Sequence, residues 1–176
     1  MDGQTNELIR QAKRGDAHAF GELYGLYAGE LYRFALYKLK NTFDAQDAVQ
    51  NAAVNAFRKI KDLKKEESFR SWFFKILYNE CRKIVSSKSR LYEVSRDEMS
   101  VFNEAVPSHS EKIDLMSLLD PLSPEQRSII ILSVFYGLTS EEIGKILGMK
   151  AGTVRSSLSR LLLKLRKQIE GADNEY

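Results

Sequence analysis

Only three prolines occur in 176 residues, at positions 107, 121 and 124, so nothing of that kind interrupts a helix before residue 107. There is a single cysteine, Cys81, which excludes an internal disulfide and fits a reducing compartment. It falls on the apolar arc of its helix, so it reads as a buried thiol rather than a nucleophile. The two histidines, His18 and His109, stand apart, with no cysteine or second histidine at ligand spacing, and imply no metal site. No apolar run approaches the ~20 residues of a membrane span, and the polar N-terminus resembles no signal peptide. A soluble cytoplasmic protein, with no membrane insertion of its own, is the expectation. Neither a Ser/His/Asp set nor a glycine-rich phosphate loop is present, so a helical enzyme has little support. Strand patterns of useful length and internal repeats are absent.

What is present is segregated charge. The net +3 conceals 17 Lys/Arg against 11 Asp/Glu in residues 1–90, 2 against 8 in 91–125, and 8 against 5 in 126–176. Two basic blocks flank an acidic connector, which favours a polyanion touched at two places, although plain solvated faces give the same counts. The periodicity predicts helices over 6–13, closed by Arg14-Gly15, over a longer stretch capped by Asp16, over 44–61, and over 69–88 after a charged loop at 62–68. Residues 92–112 lose periodicity and gain acid, serine and proline, a linker signature. Helices resume at 113–119. Ser123 then caps another, with Pro124 at its first position and Gln126 three beyond the cap. The tail GADNEY reads as frayed. The fold class is all-α, two small helical domains joined by a flexible acidic linker.

Residues 139–167 carry the sharpest signal. Thr139 and Glu142 make a capping box, and Ile143, Ile146 and Leu147 an apolar stripe. Gly144 permits a close crossing, and Gly148 suits a left-handed turn. Met149 and Val154 plug the gap, and Val154, Leu158, Leu161, Leu162 and Leu165 continue one apolar face. Lys150, Thr153, Arg155, Ser156, Ser159, Arg160 and Lys164 lie mostly off it. A helix burying one side and showing cations and hydroxyls on the other suits a DNA major groove. The plainer alternative is an amphipathic hairpin with a solvated basic face.

Two earlier helices are also two-sided. On the helix at 44–61, Val49, Ala52, Ala53, Ala56, Phe57 and Ile60 share one arc. Asp44, Asp47, Gln50, Asn51, Asn55 and Arg58 share the other, with Val54 in their midst. A lone exposed valine is usually harmless, but here it can also be the apolar centre of a docking surface with a hydrogen-bonding rim. On the helix at 69–88, Phe69, Trp72, Phe73, Ile76, Leu77, Cys81 and Ile84 form the buried arc. Ser71, Lys75, Tyr78, Asn79, Arg82 and Ser86 form the exposed one, with Phe74 at its margin and Lys83 nearby. Cations, an amide and aromatics on one face suit single-stranded nucleic acid, with Leu63, Lys64 and Lys65 of the preceding loop beside them. Tyr78 and Phe74 can equally be core-edge residues. Glu80 sits within the apolar arc, where an arginine from another helix is its expected partner.

These segments together resemble the extracytoplasmic-function group of bacterial sigma factors. RGDAHAFGELYGLYAGELYRFA is similar to the start of the family's region 2, DAQDAVQNAAVNAFRKI to its core-polymerase-binding segment, and SFRSWFFKILYNECRKIV to its −10 melting and reading segment. LSPEQRSIIILSVFYGLTSEEIGKILGMKAGTVRSSLSRLLLKLRK resembles region 4, which reads the −35 element. The resemblance implies region 2 over 1–91, a linker over 92–112 and region 4 over 113–171. It implies core RNA polymerase, promoter DNA and a cognate anti-sigma factor as partners, and no cofactor.

By that resemblance Asp44, Asp47 and Gln50, with Asn51, Val54 and Arg58 on the same arc, face the clamp of the polymerase's largest subunit. Asn79 matches the family's base-pocket asparagine, the centre of a −10 set comprising Leu63, Lys64, Lys65, Phe74, Lys75, Tyr78, Arg82 and Lys83. Arg155, Ser156 and Arg160 match −35-facing positions. Asn51 stands where the family usually has an acid, Ala53 where it usually has a large residue, and Ser157, Ser159 and Leu162 where relatives are often basic or aromatic. The family's long middle region is absent, leaving the acidic linker either to occupy the polymerase's RNA path or to act as a tether. A stand-alone helix-turn-helix regulator explains 139–167 equally well, but not the two-sided helices before it.

Overall fold

The first unit is a run of helices whose ends are set by local capping. In the computed structural model, residues 3–94, 119 and 121–172 are described, and no strand occurs among them. The chain forms two compact units, divided between residues 104 and 105. Helix α1 spans Gly3–Lys13 and closes at Gly15, whose φ of 98° is open to glycine at little cost. Asp16 then accepts from the N–H groups of His18 and Ala19 at 2.9 and 3.0 Å, starting α2 over Ala17–Leu39. Helix α2 stops at Lys40 in the left-handed conformation, and the Asn41 side chain caps α3, Thr42–Lys59. Two short 3-10 turns follow, Ile60–Asp62 at the end of the expected helix and Glu66–Ser68 within what the sequence reads as a plain charged loop. Helix α4 runs Phe69–Val94. It passes Lys88 and enters the expected linker, because no glycine or proline lies between Phe69 and residue 106 to stop it.

The interior of this unit is aromatic on one side and small on the other. Phe34, Phe69, Phe73 and Phe74 are fully buried beside Leu23, Leu31 and Leu77. Phe74 meets Phe34 edge-on at 5.5 Å, and Phe69 meets Phe73 at 5.6 Å. Burying each such side chain stabilises the fold by about 1.5–3 kcal/mol. Ala45, Ala48, Ala52 and Ala56 of α3 are also fully buried, so α3 lies close to its neighbours. Arg70 grips Glu30 with two nitrogens at 2.9–3.0 Å, tying α4 to α2.

The second unit begins, among the described residues, with Leu119. Helix α5 spans Pro124–Ile130 with the expected box of Ser123 and Gln126, then widens into a π turn, Ile131–Phe135. Helix α6 spans Ser140–Leu147, and α7 spans Ala151–Ala172. Ile129, Ile131, Leu132, Ile143 and Val154 form the core. The expected helix at 113–118, the remainder of the linker and the tail beyond Ala172 lie outside the described residues.

Candidate docking and nucleic-acid interfaces

On α3, Asp47, Gln50, Asn51 and Arg58 are exposed, and Val54 stands among them half exposed at 50%. Asp44 is half-buried and paired with Lys88 of α4. Asn55, expected on the same arc, turns instead to α4 and donates to Glu80 Oε1 at 3.0 Å. Lys83 Nζ lies 2.8 Å from the same oxygen. Glu80 is thus satisfied by an asparagine and a lysine, not by the arginine the sequence suggests. Its carboxylate is within one turn of Lys83 on its own helix and within reach of the short amide from α3. Phe57, expected in the buried arc, is 37% exposed and meets Phe20 only at its edge of the bundle. Sequence reading missed Phe43. At 74% exposure, it sits one turn before Asp47 on the same face, a placement obscured by starting the helix at residue 44.

On α4, Lys75, Asn79, Arg82 and Lys83 are exposed, while three members of the expected −10 set are not. Phe74 is 0% exposed, edge-on to Phe34. Tyr78 is nearly buried, with Lys38 Nζ 4.5 Å from its ring centroid. Leu63 is buried, leaving Lys64 and Lys65 as the exposed part of that loop. Both α2 and α3 pack on α4, so its buried arc is wider than one-sided packing predicts. Neither aromatic can stack on an unpaired base from these positions. Cys81 is fully buried, as expected, and loss of water pushes its thiol up to about 12.

In the second unit the turn between α6 and α7 has little freedom. A Cβ on Gly144 would lie 2.6 Å from the Met149 carbonyl oxygen, and 3.4 Å from the Ala151 nitrogen. The glycine therefore admits the turn and the first residue of α7, the close approach its size permits. Gly148 takes φ 75° and ψ 30°, and the Met149 N–H donates to Gly144 O at 2.9 Å. The Thr139–Glu142 box is complete. Val154 and Leu161 are buried, but Leu162, expected on their face, is 44% exposed. At about 100° per residue it has rotated off a stripe that only one side of the helix buries. Lys150, Thr153, Arg155, Ser156, Ser159, Arg160 and Lys164 are all exposed or nearly so. Ser156 Oγ donates back to Thr153 O at 3.0 Å, and Arg160 Nε to Ser156 O at 3.1 Å.

Two-sided helices in the first unit and a helix-turn-helix in the second match the models for Sigma-70 region 2 over residues 23–91 and Sigma-70, region 4 over residues 112–165. The chain is similar to RNA polymerase sigma factor SigV of Bacillus subtilis, 30% identical over 144 residues covering 82% of this chain and 87% of that one. It is also 26% identical over 184 residues to ECF RNA polymerase sigma factor SigW of Bacillus subtilis, covering 96% and 98%. The solved structure of sigma factor RpoE with anti-sigma factor NepR from Bartonella quintana matches with a TM-score of 0.73 at 26% identity, covering 86% and 96%. The chain belongs to the extracytoplasmic-function sigma factors. Like other sigma factors it is a regulatory subunit of RNA polymerase, binding the core enzyme and directing promoter recognition for transcription initiation. The stand-alone regulator is not favoured, since region 2 is present as well as the helix-turn-helix. No helix among the described residues is long and apolar enough to cross a membrane.

Proposed function

We propose that the sigma factor divides its work among three exposed faces, acting in the cytoplasm by binding alone, without covalent chemistry. The α3 arc of Asp44, Asp47, Gln50, Asn51, Val54 and Arg58 docks on core polymerase. Lys64, Lys65, Lys75, Asn79, Arg82 and Lys83 engage the −10 strand, with Leu63, Phe74 and Tyr78 supporting them from the interior. Lys150, Thr153, Arg155, Ser156, Ser159, Arg160 and Lys164 of α7 and its turn engage the −35 duplex. The domain limits follow the same division: region 2 over 1–91, the acidic segment 92–112 as connector, and region 4 over 113–171. A cognate anti-sigma factor is a further partner, by analogy with the complex of RpoE and NepR.

The observation that carries this reading is the exposure of Val54 amid polar groups on a helix whose opposite side is fully buried alanine. An apolar centre with a hydrogen-bonding rim is the composition of a docking surface. In vitro transcription from genomic fragments, with core polymerase and this protein, gives start sites and specificity together. Asp47→Lys and Val54→Glu should each abolish stable association with core on gel filtration while the isolated fold persists. Normal association by both variants moves docking off this arc. Asn79→Ala should impair opening most at promoters with the preferred −10 base, by about 1–3 kcal/mol.

A further inference from the structure

Between α3 and α4 the chain makes a nine-residue excursion, residues 60–68, and α1 holds it at two points. Lys13 Nζ donates to the carbonyl oxygen of Leu63 at 2.8 Å, in a half-buried position. One turn earlier on the same helix, Arg10 Nε donates to Glu66 Oε1 at 3.2 Å. The two gripping residues are three apart on α1, and the two gripped residues are three apart in the excursion. Lys64 and Lys65 fall between them, both exposed. Beneath the grip the packing is apolar, with Ile9, Ala12, Ile60 and Leu63 all buried. The excursion adds its own closures, Leu63 N–H to Ile60 O and Ser68 N–H to Lys65 O, each 3.1 Å.

We infer that Lys13 and Arg10 are positioning residues for promoter opening, fixing the 60–68 excursion so that Lys64 and Lys65 are presented together. This rests on the reading of that excursion as part of the −10 surface. An ammonium on a half-buried carbonyl is a charge-assisted bond, stronger than the neutral bonds around it. The guanidinium on Glu66 is more exposed and weaker. Lys13 is therefore the main hold and Arg10 the lesser. Fixing two long, flexible lysine neighbours at the backbone leaves only their side chains to order when phosphate arrives, which lowers the entropic cost of contact. The role of Leu63 changes accordingly: its carbonyl is the anchor and its side chain the plug, and it touches no DNA.

The test uses the full-length protein and its holoenzyme. Lys13→Met keeps the stem and removes the ammonium, and Lys13→Arg restores a cation. Amide hydrogen exchange at Leu63 and Ser68 should quicken about tenfold in Lys13→Met, the size expected for one lost charge-assisted bond, with α2 and α3 unchanged. Promoter opening should fall several-fold, core affinity should hold, and Lys13→Arg should recover both readouts. In a Lys64→Ala/Lys65→Ala background, Lys13→Met should cause no further loss of opening, since its effect passes through those two side chains. Unchanged exchange at Leu63 and Ser68 overturns the inference. So does quickened exchange with unaltered opening, or a full additional loss in the double-alanine background. If Lys64→Ala/Lys65→Ala itself opens promoters normally, the −10 assignment of the excursion falls and the positioning role falls with it, whereas the exchange result separately decides whether α1 holds the backbone.

Discussion

The cations of α4 are held in part by neighbouring side chains, and those of α7 hardly at all. On α4, Lys83 is bound to Glu80 and Lys88 to Asp44, and Lys38 of α2 sits over Tyr78, whereas Lys75 and Arg82 make no ion pair or side-chain hydrogen bond among the described residues. On α7 and its turn, Lys150, Arg155 and Lys164 make no ion pair or side-chain hydrogen bond among the described residues, and Arg160 only leans on its own helix. What is fixed in the second unit is the backbone beneath, through Gly144, Gly148 and the Thr139 cap. If the α4 face receives a displaced base, as proposed, it gains from having part of its side chains set in advance. A helix entering a regular groove needs its axis set, and its side chains can settle against whichever base edges they meet.

The contrast is broken most severely at the turn. Gly144→Ala puts a methyl 2.6 Å from a backbone oxygen, with no flexible side chain to move aside. It should destabilise the second unit by about 3 kcal/mol and abolish −35 binding, while core association persists. Thermal melting and −35 footprinting check both halves.

On α7 itself, Arg155→Ala should flatten the preference among −35 variants at a cost of about 1–3 kcal/mol on the best site. Lys164→Ala, more than two turns further along, should weaken all sites alike and reduce the salt slope by about one. Titrations over several salt concentrations separate them. A uniform loss for Arg155→Ala means that the helix is docked differently.

Alkaline pH should distinguish the two units through Cys81 of the first. Cys81 has a folded pKa of about 12 against an ordinary 9.0, because burial disfavours the thiolate. A raised folded pKa contributes stability that is complete below pH 9 and is lost between pH 9 and 12. The first unit should therefore weaken by about 1.4 kcal/mol per pH unit in that window from this group. Denaturant melts at stepped pH should show a shallower decline in Cys81→Ala.

The smallest effect is a gain. Gly25 lies inside α2, exposed, and a methyl added there would meet nothing within 4 Å. Gly25→Ala should raise the stability of the first unit by about 0.5–1 kcal/mol, through helix propensity and a less free unfolded chain, and leave the second untouched.

Most of the architecture was legible because its determinants are local. The caps at Asp16, Ser123 and Thr139, and the glycines at 15, 144 and 148, each act within a few residues, and they stand where the local pattern predicts them. The exposed cations of α7 were legible for a similar reason, since one face of that helix is packed and the other is open. The α4 face was less so. Whether Phe74 and Tyr78 point outward depends on α2 as well as α3 lying against the helix, and periodicity along one segment does not count its neighbours. Glu80 failed in the same way, because its donor comes from a residue read as part of an outward face. The α1 contacts to Leu63 and Glu66 span 50 and 56 residues, and no pattern in either segment announces them.

Asn55 and Glu80 tie α3 to α4 from within a face that is otherwise turned outward. Position 55 lies one residue from the valine at the centre of the exposed α3 arc, yet its amide serves a buried carboxylate on another helix. Replacing Asn55 with a residue lacking a donor leaves that carboxylate with Lys83 of its own helix as its remaining partner. Position 55 thus answers to the interior of the first unit although its neighbour Val54 is exposed.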